Sequence, residues 1–390
     1  MKRGFVTSLA LAALAVAAPA ATLADVAAES TSAAALLAGD QSALLDAAIA
    51  EYAALRDRGG WNALSDEANL RPGVRHIDVR ELRQRLRLSN DFQGEVEADP
   101  LLFDIALVDA LKHFQRRHGL RVSGIVDSKT LASLNLPVEH RLAQLEYSRT
   151  AWAELQLDQA ERRVWVNIPE AVVAAVTANH VDLAMRAVVG HPGRPTPRLS
   201  SQITAIVLNP PWNVPRTIAV QDLLPRQQSD PQFFSSKNIR VLTSADDGLR
   251  QVDSAGIDWN DVNEGRFPYR LRQEPGPWNS LGRYKFDFAN RFNVFLHDTP
   301  APGLLELSAR SLSSGCVRLE DPAALAQWLS TETAANRLER LTATLEDNRT
   351  RRITLSASVA IDTVYLVAWV AADSGVIQFR QDVYRRGQSN

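Results

Sequence analysis

The sequence predicts a multidomain α+β chain, helical up to about residue 161 and mainly β from Arg162 onward. Apolar spacing of three and four residues in the first part gives way to strict alternation in the second. With 390 residues, 45% hydrophobic and 23% charged, there is material for two or three domains with cores of their own. Stretches rich in Pro and Gly (GHPGRPTP, NPPWNVP, QEPGPWNSLG) break up the β half, so long ordered loops are expected there rather than a closed parallel sheet.

The chain opens with Met1-Lys2-Arg3, an apolar run over Leu9–Ala18 and then APAATLAD, the order of regions in a secretory signal. That run is short and Ala-rich for a membrane span, so cleavage after Ala20 or Ala24 is expected over a retained anchor, giving a signal peptide over 1–24. Residues 25–70 read as scaffold helices and linker, Ala-rich and stopped by Gly59-Gly60. From Arg71 short amphipathic helices follow: Val79, Leu82 and Leu86 share one face, Leu107, Leu111 and Phe114 another. Gly119 closes the second of these, and Asp127 caps a third that starts at Ser128. A three-helix unit over 71–140 and a connecting helix over 141–161 result.

In the β half, Val164, Val166 and Ile168 alternate with other residues, as do Phe292, Val294 and Leu296 with Asn293, Phe295 and His297. Helical interruptions are expected over Glu170–Asn179 and, after Asp321-Pro322, over Ala323–Ser330. Over 346–390, VYLVAWVAADSGVIQFRQDVY reads as two strands about an Asp373-Ser374-Gly375 turn.

Forty-three Lys+Arg against 45 Asp+Glu leave a formal charge of -2, which implies no nucleic-acid partner, and a membrane only if the N-terminal segment is retained. The single Cys316 excludes an internal disulfide framework and a Cys-based zinc site. The other histidines, at 76, 113, 118, 140, 180 and 191, show no metal-ligand spacing, so no metal and no cofactor are expected. GHPG at 190–193 reads as a turn, since a phosphate cradle needs more glycines opening onto a helix.

Chemistry concentrates in NVFLHDTP (293–300) and RSLSSGCVRLED (310–321). A strand delivers His297, and a Ser-Gly-Cys turn delivers Cys316 nineteen positions later. Thiolate is the nucleophilic form of cysteine, and a nearby imidazole can take its proton. Gly315 lets the backbone turn tightly and leaves N–H groups to face a developing oxyanion. Arg318 is placed either to support the thiolate or to bind a substrate carboxylate. A buried, inert cysteine is the plain alternative; a sole thiol kept in a Gly-Ser turn of an exported chain favours a nucleophile.

These residues resemble the L,D-transpeptidase signature: a His, some fifteen residues, Ser or Thr, a variable position, Gly-Cys and an Arg two further on. The stretches 188–225 and 267–300 extend the likeness to the large periplasmic murein transpeptidases of Gram-negative bacteria. The resemblance implies a β-sandwich catalytic domain over 162–345 with a capping insertion at about 221–272. It implies Cys316 as nucleophile, His297 as general base and then acid, and Gly315 with the N–H groups around Cys316 as the oxyanion site. Where many short members have His before Gly-Cys, this chain has Ser314, so any role of that second His does not transfer. Ser314, Arg318, Trp212, Asn279 and Phe295 are the substrate-binding candidates; Trp212 reads equally as core and Asn279 as a turn residue.

Residues 71–140 resemble a peptidoglycan-binding module, on VRELRQRL, ALVDALKHFQRRHGL and SGIVDSKTLASLN, a pattern of core and turn residues. The implied activity is formation of 3→3 cross-links through a Cys thioester, with a tetrapeptide stem as donor and a diaminopimelate amine as acceptor, and with sensitivity to carbapenems. The same site would serve an L,D-carboxypeptidase or endopeptidase, and a noncatalytic wall binder is the rival from another class. The implied location is the periplasm or cell envelope, with cell-wall synthesis proteins as the implied protein partners.

Overall fold

The computed structural model describes residue 33 and residues 40–387, apart from 67–68, 95–98, 156–159, 179, 246–247, 331–337, 340–341, 344 and 372. The expected signal peptide over 1–24 lies outside the described residues. Among the described residues, no helix is long and apolar enough to cross a membrane.

Helix α1 (Gln41–Asp57) starts at Asp40, whose carboxylate accepts from the N–H groups of Ser42 and Ala43, and it packs on α5 (Val138–Ala153). Between them lies the small helical unit: α2 (Ile77–Leu88), α3 (Ile105–Arg117) and α4 (Ser128–Leu134). Asp104 and Asp127 cap α3 and α4. Val79, Leu82, Leu86, Leu107, Leu111 and Phe114 meet in its core.

The β half is built on β1 (Arg162–Asn167), β2 (Val172–Thr177), β3 (His180–Gly190), β4 (Leu199–Leu208), β9 (Tyr284–Phe288), β10 (Leu296–His297), β11 (Ser311–Ser313), β12 (Val317–Leu319) and β13 (Arg351–Val364). Their order is β11-β3-β12-β10-β9-β4-β13-β1-β2, and β2 pairs back onto β3. The sheet therefore closes into a mixed, barrel-like ring, which corrects the expected sandwich: β2 meeting β3 joins the ends of the ring and leaves only the short β11 with a single neighbour. Val164, Val166, Phe286, Leu296, Val317, Leu319 and Ile361 fill its interior, with Leu325, Ala326 and Leu329 of α6 (Pro322–Leu329). Asp321 caps α6 from the expected position.

Two local expectations are revised. The segment 170–179 holds strand β2, not a helix. Val173 and Ala175 face the ring's interior, while Ala174 and Val176 lie under Ala151 and Trp152 of α5, so both faces are buried and the alternation that marks a strand is erased. The strand ending in His297 is only Leu296–His297. Before it, Asn290 accepts from the N–H groups of Phe292 and Val294, and Asn293 sits at φ +54°, so 290–294 is a turn. The stretch expected as a capping insertion, about 221–272, lies within an insertion between β4 and β9, where β5 (Trp212–Asn213), β6 (Ile239–Ala245), β7 (Gly248–Val252) and β8 (Arg270–Gln273) form a four-stranded sheet over a helical segment at 216–229. Its own core includes Phe234, Val241, Trp259 and Leu271.

The C-terminal hairpin, β14 (Ala368–Val370) and β15 (Ile377–Phe379), packs on α1 and α5. It also receives the small helical unit, through buried Arg117 on α3. That guanidinium donates two hydrogen bonds to Asp91, at 2.5 and 2.6 Å, and one to the Ile377 carbonyl at 3.2 Å. Removing one partner of a buried ion pair strands the other, at a cost of about 3–5 kcal/mol. Arg117→Ala is thus expected to lower stability by about that much in a denaturant titration of the full chain, while exposed Arg116→Ala shifts it by less than about 0.5 kcal/mol.

Candidate active site

Strands β10 and β12 run parallel, with Leu296 opposite Val317 and His297 opposite Arg318. Because side chains alternate, Leu296 and Val317 point into the ring, and Cys316, Arg318, Phe295 and His297 share its outer face. The strand spacing and rise put the Cα atoms of Cys316 and His297 about 8 Å apart on the diagonal. One strand further, Lys285 lies opposite His297, and its ammonium sits 3.8 Å from the centre of the Phe295 ring.

Cys316 is partly exposed and is a free thiol. Its sulfur lies 4.0 Å from the Asn293 carbonyl oxygen and receives the Phe295 N–H. His297 is buried, and its Nδ1 contacts the Asp298 carbonyl at 2.5 Å. A carbonyl oxygen only accepts, so Nδ1 carries the proton in that contact, and the backbone of Leu281 also hydrogen-bonds the ring. Burial, with the Arg318 charge second, pushes this imidazole down to about 3. Burial also raises the Cys316 thiol, against the pull of the Phe295 N–H and of Arg318 and Lys285. The resting pair is thus neutral thiol and neutral imidazole, not a thiolate–imidazolium ion pair.

Gly315 sits at φ +111°, in the region that favours glycine. A Cβ there would meet nothing closer than 3.7 Å, so the backbone angle and not crowding calls for glycine. Two of the turn's N–H groups are used. Gly315 N–H donates to Ser313 Oγ, and Val317 N–H donates to the Phe295 carbonyl at 3.0 Å. Among the described residues, the Cys316 N–H has no intramolecular acceptor. Of the expected oxyanion donors, that N–H is free, whereas Gly315's own is engaged.

The other sequence-derived candidates separate. Arg318 borders the site, and its side chain has no hydrogen-bond partner among the described residues, with Nε buried. Ser314 is exposed, and its Oγ accepts from Arg194 at 3.0 Å. Phe295 flanks the thiol on the neighbouring strand. Asn279 is buried and spends its side chain within the loop: its amide donates to the Gln273 and Glu274 carbonyls and its oxygen accepts from Leu281 N–H. That loop brings Leu281 to the His297 ring. Trp212 pairs with Gln273 across β5 and β8 and packs on the insertion's own core.

Sequence reading missed Lys285, Arg194 and Thr196. The alternation in YKFDF is the one signal that could have set Lys285 on the outer face beside His297. Arg194 reaches from the loop after β3 to Ser314 and, in the insertion, to Gln221 and Asp222. No spacing rule reveals a contact 120 residues apart.

Residues 161–342 match the family model described as L,D-transpeptidase catalytic domain, and residues 75–134 match the one described as "Putative peptidoglycan binding domain". A curated protein of Haemophilus influenzae named "Putative L,D-transpeptidase" is 34% identical over 221 residues, covering 57% of this chain and 44% of that relative's own length. Among solved structures, an L,D-transpeptidase from Mycobacterium smegmatis shares 16% identity over 52% of this chain and 58% of its own, with a TM-score of 0.25. One from Stackebrandtia nassauensis shares 13% over 77% and 96%, with a TM-score of 0.27. Scores that low carry no inference about fold.

The neutral resting pair has a measurable consequence. Alkylation of Cys316 by iodoacetamide is expected to rise with pH up to and beyond the ordinary thiol range near about 8.5, because the raised thiol ionises only there. A rate already flat between about pH 5 and 8 would mark a preformed ion pair instead.

Proposed function

We propose that this chain, which matches the L,D-transpeptidase catalytic domain over 161–342 and a peptidoglycan-binding domain over 75–134, is an envelope-located, cysteine-dependent acyltransferase that forms 3→3 cross-links in peptidoglycan. Supporting the reading above all is the register of β10 against β12, which sets the sole thiol and His297 on one face beside an unpaired guanidinium.

In the proposed reaction, Cys316 Sγ attacks the carbonyl carbon of the third stem residue of a tetrapeptide, while His297 takes the thiol proton. The Cys316 N–H donates to the carbonyl oxygen as it becomes negative. The C–N bond to the terminal D-Ala breaks, and His297 returns the proton to the departing amine. A thioester remains. The side-chain amine of a diaminopimelate on a second stem then attacks it, the C–S bond breaks, and the thiol is regenerated as the amine loses its proton through His297. Both residues start neutral, so deprotonation is coupled to attack rather than completed beforehand. The recorded contacts of the sulfur are to backbone atoms, and the thiol–imidazole hydrogen bond must form as substrate fills the groove, as catalytic contacts commonly do.

Stem peptides carry free carboxylates, and Arg318 fits one through its forked donors. Phe295 with Lys285 over its ring supplies an apolar wall with a cationic rim beside the thiol. Periplasmic or other envelope residence follows from the substrate; the cell-wall synthesis proteins as partners stay part of the proposal.

Muropeptide profiling with purified protein tests the outcome. Tetrapeptide monomers are expected to yield dimers with loss of D-Ala, and Cys316→Ala to yield none while still binding sacculi. Monomers shortened to tripeptides with no dimers would instead identify the carboxypeptidase of the same site. Arg318→Gln should lower kcat/KM by about 10- to 100-fold, the loss of a charge-assisted hydrogen bond worth about 1.5–3 kcal/mol; steady-state kinetics on the tetrapeptide would show it, and an unchanged value would remove Arg318 from substrate binding.

A further inference from the structure

The loop that follows β3, residues 190–196, wraps the Cys316 turn along its length. Ser313 carbonyl accepts from His191 N–H at 2.9 Å, Ser314 Oγ accepts from Arg194, and the Gly315 carbonyl accepts from Thr196 Oγ1 at 2.8 Å. The last contact has a geometric corollary. The Gly315 C=O and the Cys316 N–H belong to one peptide unit, which is planar and trans, so fixing the oxygen on one side aims the N–H to the other. That N–H is a donor left free beside the thiol among the described residues.

Thr196 is itself fully buried and held on every polar atom of interest. Its Oγ1 accepts from Gly190 N–H at 2.8 Å, so its single hydroxyl proton is committed to the Gly315 carbonyl. Its N–H donates to Tyr384 Oη at 3.1 Å, and Tyr384 Oη donates to the Gly190 carbonyl at 2.6 Å. Tyr384 is fixed in turn: its N–H donates to Tyr365 Oη, which donates to Asp382 at 2.6 Å, and the two tyrosine rings stack 5.1 Å apart. The loop closes this tightly because residue 190 is glycine. A Cβ there would lie 2.4 Å from Arg194 O and 2.5 Å from Thr196 N, both backbone atoms that cannot yield.

We infer that Thr196, braced by Tyr384 from the C-terminal segment, is a positioning residue that orients the Cys316 N–H toward the oxyanion formed during acyl transfer. This deepens the transpeptidase reading and rests on it. The residue touches neither substrate nor sulfur; it acts through the carbonyl of the preceding residue.

Two reactions of the same thiol separate this role from a general structural one. Attack on a carbapenem carbonyl builds an oxyanion; alkylation by iodoacetamide displaces iodide from a saturated carbon and builds none. In the full chain, Thr196→Val is expected to slow acylation by a carbapenem, followed by intact mass, by at least about 10-fold and by no more than the roughly 10²–10³-fold that outright loss of an oxyanion donor costs. Alkylation of Cys316 should stay within about twofold of wild type, and kcat on the tetrapeptide should fall with KM little changed. Thr196→Ser, which keeps the hydroxyl, should restore most of the rate. Tyr384→Phe, one bond further back, should give a smaller loss of the same pattern and keeps the inference testable if Thr196→Val does not fold. Wild-type acylation by Thr196→Val, a parallel fall in alkylation, or no rescue by serine would each overturn the inference. A wild-type protein that is never acylated overturns the transpeptidase reading and this inference with it, whereas an active wild type with an unaffected Thr196→Val overturns only the latter.

Discussion

The parallel pairing of β10 with β12 is the constraint on which the site depends. With Leu296 opposite Val317 in the ring's core, strand alternation leaves Cys316, Arg318, Phe295 and His297 only the outer face. A slip of one residue in either strand would send its members of that set into the interior and bring apolar residues out. Burial of Leu296, Val317 and Leu319 therefore fixes the register of the chemistry, and the core of the ring is in this sense part of the site.

Around that register several backbone groups of 313–317 are held. Ser313 Oγ accepts from the Gly315 N–H and donates to the Cys316 carbonyl, Thr196 holds the Gly315 carbonyl, and the Phe295 carbonyl holds the Val317 N–H. A turn so pinned has few alternative conformations, which is what an acyl-transfer centre needs, since preorganised donors stabilise charge without reorganising at the moment of reaction. Three regions distant in sequence supply the pins: the loop after β3, the insertion through Arg194 and Asp222, and the C-terminal segment through Tyr384. Arg194 links the Cys316 turn directly to Gln221 and Asp222, within the helical segment of the insertion.

What was legible in the sequence was local. Asp127 and Gly119 mark the helical unit because caps and stops act within a few residues. His297 and Cys316 stand out because their residue types and spacing carry a recognisable chemistry. Strand β2 was illegible: buried on both faces, it lacks the alternation that identifies a strand. Closure of the sheet depends on β2 meeting β3 and β12 meeting β3, pairings between segments that no local pattern reports. Thr196 was silent for the same reason, and the alternation in YKFDF gives Lys285 a face but not its neighbour His297, since each matters through a contact that only the tertiary fold supplies.

In the proposed reaction, the neutral pair and the free Cys316 N–H become a working site only as substrate binds. The most direct test is to incubate the full chain with a tetrapeptide monomer in the absence of acceptor, quench in acid, and map the mass gain. The account predicts one adduct, the donor stem less its terminal D-Ala, on the peptide containing Cys316. Turnover of the tetrapeptide with Cys316 unmodified at every time point, or an adduct on any other residue, would contradict it.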